Sequence, residues 1–110
     1  MYQLTTQYDK PLSIALDYDD TFTAHREFWT SFIRLADHFK LKVTFVTYRH
    51  QTGNNKDILA DAEHLCIPVI FSNGEPKSSV FKADIWIDDQ PITIPSYEGM
   101  LDMLQRGGIE

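Results

Sequence analysis

Leu12-Ser13-Ile14-Ala15-Leu16-Asp17-Tyr18-Asp19-Asp20-Thr21 is an apolar run that ends abruptly in three carboxylates and a hydroxyl. Leu12, Ile14, Ala15 and Leu16 read as a strand buried on both faces, and such strands belong in parallel sheets flanked by helices. The carboxyl end of the strand is then the expected active-site edge. Asp17 and Asp19 stand two residues apart, so their side chains leave the same face if the extended geometry persists to Asp19. Carboxylates held that close repel one another and invite a cation. The plainer alternative is a strand followed by an acidic helix cap, and only partners elsewhere in the chain decide between the two.

Outward from this stretch, apolar patterns alternate between two periods. Thr23 can cap a helix running to about Lys40, with Phe28, Trp29, Phe32, Ile33, Ala36 and Phe39 as a core-packing stripe. Val43–Val46 reads as a second strand and ends in Thr47. Thr52-Gly53-Asn54-Asn55 is turn chemistry before a helix over Lys56–Leu65, whose apolar face is Ile58, Leu59, Ala62 and Leu65. Pro68–Phe71 gives a third strand, Asn73-Gly74-Glu75-Pro76 a break, and Lys77 opens a short helical segment reaching about Lys82. Asp84–Ile87 is a fourth strand ending in Asp88-Asp89. Past Pro91 and Pro95, Ser96 caps a last helix carrying Tyr97, Met100, Leu101 and Leu104, with Gly107 as its stop. Residues 1–11 could be an irregular arm or an edge strand before Pro11.

The expected fold is therefore α/β, a three-layer Rossmann-like parallel sheet in a single domain over residues 1–110. Composition agrees, with 43% hydrophobic and 24% charged residues and no repeated or low-complexity segment. The amino-terminal segment has no apolar signal core, and no stretch approaches the roughly 20 apolar residues that cross a bilayer. The expectation is a soluble cytoplasmic protein with no membrane partner. The lone Cys66 lies on the apolar side of a helical pattern and reads as core packing. A net charge of −6 argues against general nucleic-acid binding, leaving nucleic acid as a partner only where it is a phosphorylated substrate.

Right-handed crossovers make all strands parallel and bring their carboxyl ends to one edge. Asp17, Asp19, Thr47 and Asp88 then meet there, and surface acids or caps have no reason to terminate three strands in this way. Clustered carboxylates with a hydroxyl and a lysine suit a hard divalent cation, magnesium more than calcium or zinc. A phosphoryl group would complete its coordination, with Thr47 and Lys77 as donors to the remaining phosphate oxygens. The chemistry indicated is phosphoryl transfer.

Asp17-Tyr18-Asp19-Asp20-Thr21 resembles the Asp-x-Asp-x-Thr signature of the haloacid-dehalogenase-like (HAD) phosphatase superfamily. Thr47 at a strand end resembles its second motif, Lys77 its third and Asp88-Asp89 its fourth, so that the resemblance spans residues 12–91. Asp20 stands where the family usually has glycine. The resemblance implies that Asp17 attacks phosphorus to give an aspartyl-phosphate, while Asp19 protonates the leaving oxygen and later activates water. It further implies a magnesium ion held by the Asp17 carboxylate, the Asp19 backbone carbonyl and Asp88. Asp89 would bind it through water or orient Lys77. Tyr48 and Arg49, next to Thr47, are candidate substrate contacts alongside Thr47 and Lys77.

Neither gap between the first three motifs has room for a cap domain, so the site is expected to be open. It would serve a macromolecular phosphorylated substrate, or be closed by a second copy in a homo-oligomer. Small phosphorylated substrates stay within the same chemistry. His25, Arg26, Arg49, His50, Lys56 and Lys77 follow strand ends and could give the acidic protein a basic mouth. Lys77 and Lys82 both precede the last acidic pair, and topology favours Lys77 as the phosphate lysine, since helices begin near the carboxyl edge. A phosphorylatable receiver would place the acid pair on its first strand and its lysine last, which is not this order. A catalytically silent binding or assembly module on the same fold is the standing alternative, set against the presence of both Asp17 and Asp19.

Overall fold

The structure is a computed structural model, and it describes residues 11–95. Four strands form one sheet: β1 (Ser13–Leu16), β2 (Lys42–Thr47), β3 (Val69–Phe71) and β4 (Ile85–Ile87), in the order β3-β2-β1-β4. All three pairings are parallel. The all-parallel α/β architecture read from the sequence is therefore present. β1 is central, and its Ile14, Ala15 and Leu16 are buried, as expected of a strand covered on both faces.

Two α-helices connect the first three strands, α1 (Arg26–His38) and α2 (Lys56–Leu65). Period-two alternation sends Ile14 and Leu16 of β1 and Val43 and Phe45 of β2 to one face, where they form a core with Ile33 and Ala36 of α1 and Ile58 and Ala62 of α2. Tyr18 and Phe22, from the turn after β1, complete it. Their rings meet at 5.6 Å and each packs edge-on against Phe45. The turn that carries the acids is thus held down by aromatic residues inside the core.

Several expectations need correction. The α1 stripe is narrower than the sequence pattern. Ile33 and Ala36 are buried and Trp29 and Phe32 partly so, but Phe28 and Phe39 are exposed, because the sheet covers only one side of the helix. Leu59 on α2 is exposed for the same reason. Thr23 does not cap α1. Its hydroxyl accepts the Asp20 N–H at 2.9 Å, inside the acidic turn, and α1 begins three residues later. Cys66 is exposed rather than buried. It takes the left-handed position that closes α2, φ 59°, where Ile67 N–H returns to Ala62 C=O, and this turns its side chain outward. The segment expected to be helical over Lys77–Lys82 is a single 3-10 turn, Lys77–Ser79, too short for a helix dipole to contribute. The arm before Pro11 and the helix expected from Ser96 lie outside the described residues.

Between Asp19 and Thr47 the chain is used by α1 and β2, and between Thr47 and Lys77 by α2 and β3. No cap occupies either gap. Among the described residues no helix is long and apolar enough to cross a membrane.

Candidate active site

The strand order has a consequence for chemistry. The chain leaves β1 toward β2 on one side, and β4 arrives on the other side of β1, so the crevice between β1 and β4 is the switch point where open parallel sheets bind ligands at their carboxyl ends. Asp17 follows β1 there, and its N–H donates to Ile87 C=O at 2.9 Å, extending the pairing with β4 by one residue. Asp88 and Asp89 follow β4 directly. Residues 71 positions apart in sequence are thereby made neighbours by backbone pairing alone.

Past Asp17 the backbone makes a wide turn, with Phe22 N–H donating to Asp17 C=O and Thr23 N–H to Tyr18 C=O, five residues back in each case. Wide turns of this kind recur at functional sites. Asp19 is extended and Asp20 is left-handed at φ 61°. Aspartate is one of the few residues besides glycine that visits this left-handed region.

Lys77 sits at the centre of the cluster. It is 2% exposed, and its Nζ donates to Asp17 Oδ1 at 2.8 Å and to Asp88 Oδ2 at 2.5 Å. The Thr21 hydroxyl lies 3.0 Å from Asp17 Oδ2 and 3.2 Å from Asp89 Oδ1, and it accepts the Asp89 N–H at 3.2 Å. It therefore ties the turn after β1 to the turn after β4. Burial pushes the Asp17 carboxyl up to about 7. The Lys77 hydrogen bond opposes that rise, and the contact with Asp89 adds to it.

Asp17, Asp88 and Asp89 each present a carboxylate oxygen, and these lie within 4.8 Å of one another. With all three ionised, the carboxylates outnumber the single ammonium by two negative charges, the amount one divalent cation supplies. An all-oxygen donor set of few protein ligands is the kind that magnesium accepts, its remaining positions being filled by water and phosphate. The residues fit such an ion. The Asp19 carboxylate stands apart from this group.

A cavity of about 180 Å³ opens over the cluster, lined by Asp17, Asp19, Asp20, Tyr48, Lys77, Asp88, Asp89, Gln90 and Thr93. Asp17, Asp19, Tyr48, Lys77, Asp88 and Asp89, all named from the sequence, therefore line one cavity. Thr47 and Arg49 are not among the lining residues. Thr47 is buried, and its Oγ1 accepts the Arg49 backbone N–H at 3.3 Å. Asp20, Gln90 and Thr93 line the cavity without having been singled out as contacts. A larger cavity of about 520 Å³ opens at the opposite edge, between the carboxyl ends of α1 and α2, and among the described residues it carries no comparable carboxylate cluster.

Searches of protein-family models, curated proteins and solved structures return no match for this chain.

Sequence reasoning missed the second charged group at this edge. Arg49 donates from Nε and Nη2 to both oxygens of Asp19, at 2.9 and 2.7 Å, and from Nη1 and Nη2 to both oxygens of Asp57, at 2.7 and 2.9 Å. Its guanidinium also lies 5.3 Å from the centre of the Tyr18 ring. The Tyr18 hydroxyl donates to Asp61 at 2.5 Å, and Arg26 pairs with the same carboxylate at 2.7 Å. Burial and then the Asp61 contact push the Tyr18 phenol up to about 12. Arg49 holds Asp57 down to about 2. The expected basic mouth is corrected by these pairings: Arg26, Arg49 and Lys77 are all committed to carboxylates, and Asp19, Asp20, Asp88 and Asp89 surround the opening. Asp57 and Asp61, one turn apart on α2, were the available signal, but as a surface i, i+4 pair they carry no indication of their partners.

Proposed function

We propose that this protein is a magnesium-dependent phosphate-monoester hydrolase of the HAD type, with a capless, Rossmann-like core, working through an aspartyl-phosphate on Asp17. One observation carries the reading: Asp17, Lys77, Asp88 and Asp89, from three separate segments, converge at the β1/β4 switch point around a cavity of about 180 Å³. Structural ion pairs need no cavity over them, and a carboxyl shifted by burial and by charged neighbours at the floor of a cavity marks a functional-site candidate.

In this reading Asp17, Asp88 and Asp89 hold the ion, which supplies positive charge to the phosphoryl oxygens and to the nucleophile. An oxygen of Asp17 attacks phosphorus as the bond to the leaving oxygen breaks, and Asp19 gives that oxygen its proton. Asp19 then takes a proton from water, whose oxygen attacks phosphorus. The bond to Asp17 breaks, phosphate leaves and the carboxylate is restored. Lys77 and the Thr21 hydroxyl orient the Asp17 carboxylate throughout. Without a cap, access to the cavity is open to a phosphate at the end of a large substrate, or is closed by a second copy of the chain.

The test is turnover of phosphorylated oligonucleotides, phosphopeptides, nucleotides and sugar phosphates with magnesium and with excess chelator. Magnesium-dependent phosphate release from one class is expected, with no release in chelator. A specific observation favours a second reading, a silent binding module: Thr47, which the family would use on phosphate, is buried and bonded to backbone. Absence of turnover across the panel, with intact folding, would select that reading.

A further inference from the structure

We propose that Arg49 is a positioning residue for Asp19, clamping it to α2 through Asp57, and is not a substrate-phosphate ligand; this rests on the phosphatase reading given above. Both guanidinium edges are used: Nε and Nη2 meet the two oxygens of Asp19, and Nη1 and Nη2 meet the two oxygens of Asp57. A fork engaged with two carboxylates has little donor capacity left for a third anion. Arg49 is also absent from the lining of the cavity that Asp19 itself lines.

The geometry around the fork shows what it achieves. Tyr18 and Asp19 are consecutive residues in a turn that is neither helix nor strand, and each is tied separately to α2. The Tyr18 hydroxyl reaches Asp61, and Asp19 reaches Asp57 through Arg49. Asp57 and Asp61 stand one turn apart on the same face of α2. Arg49 lies over the Tyr18 ring, so the two ties brace one another. Asn55 fixes the loop that carries Arg49, its Nδ2 donating to the His50 and Gln51 carbonyls at 2.9 and 3.2 Å. An acid–base group on an otherwise irregular turn is in this way given one orientation beside the cavity. Orientation of that kind is worth up to about a hundredfold in rate when lost.

The two roles for Arg49 separate kinetically. If Arg49 positions Asp19, Arg49→Ala lowers kcat about 10- to 100-fold with KM within about twofold, Asp57→Asn lowers kcat by a smaller factor, and Arg49→Lys recovers only part of the loss, since an ammonium cannot fork two carboxylates. The decisive measurement is the double variant. In an Asp19→Asn background, Arg49→Ala should cost almost nothing more, because the residue it positions has already lost its function. Additive losses, or a rise in KM with kcat retained, would overturn the proposal and return Arg49 to substrate binding. A second readout needs no turnover: the Arg49 Nε–H proton resonance should be protected from solvent exchange in the wild type and lose that protection in Asp19→Asn. An unprotected resonance in an active wild type overturns the clamp alone. A wild type that turns over no phosphomonoester yet shows the protected resonance overturns the phosphatase reading, and with it the positioning role.

Discussion

Two charge clusters stand at the carboxyl edge of the sheet, and each places one cation between two carboxylates. Lys77 lies between Asp17 and Asp88, with side chains 2%, 8% and 3% exposed. Arg49 lies between Asp19 and Asp57, with side chains 23%, 48% and 52% exposed. Similar contact distances have different meanings at the two burials. Water already solvates half of the Arg49 group, so its pairs hold geometry and contribute little stability. The Lys77 group has given up its water, so taking the cation away leaves carboxylates buried without a partner. In the proposed reading, the first cluster takes up the charge of a bound ion and the second sets the orientation of Asp19.

The largest expected effect comes from removing the buried cation. Lys77→Ala leaves Asp17, Asp88 and Asp89 close together without their ammonium, and should cost about 3–5 kcal/mol of stability in chelator along with nearly all activity. Lys82→Ala, at an exposed position, should stay within about 0.5 kcal/mol. Chemical denaturation of both variants measures the contrast, and equal losses would break it.

Next in size is Asp17, the proposed nucleophile. The folded state raises the Asp17 carboxyl from 3.8 to about 7. Its contribution to stability is therefore complete below about pH 3.8 and is lost as pH rises through about 7. Asp17→Asn should then abolish the phosphoenzyme yet raise both the melting temperature and the unfolding free energy in chelator at pH 8, the latter by up to roughly 4 kcal/mol for that displacement, and flatten the dependence between pH 4 and 8. A lower melting temperature for the variant at pH 8 would show the buried carboxylate to be a net stabiliser and would erase the distinction drawn between the clusters.

The smallest effect belongs to the exposed cluster. Asp57→Asn should cost less than about 1 kcal/mol at neutral pH. Because Arg49 depresses Asp57 from 3.8 to about 2, that contribution is present above pH 3.8 and disappears as pH falls through about 2. Melting curves at neutral and strongly acidic pH check it. A loss as large as that for Lys77→Ala would mean that the clamp is structural.

The sequence by itself determined the elements that depend on neighbours along the chain. Apolar runs ending in Asp17, Thr47 and Asp88 announced strand ends, and the alternation with Lys56–Leu65 and its neighbours announced a parallel sheet with its polar ends on one side. Lys77 was legible for the same reason, since it follows a turn after the third strand. Tertiary structure alone decided the rest. Placing β4 beside β1 is a choice of strand order that no local pattern encodes, and it makes Asp88 and Asp89 neighbours of Asp17. The bond from Arg49 to Asp19 spans 30 residues, and nothing in periodicity selects one carboxylate partner among many. Thr47 ends a strand as read, yet its hydroxyl is satisfied by the backbone two residues on. Phe28, Phe39 and Cys66 lie on apolar patterns and face outward, because a pattern reports which side of a helix could be covered, while the width of the cover is set by the sheet against which the helix packs.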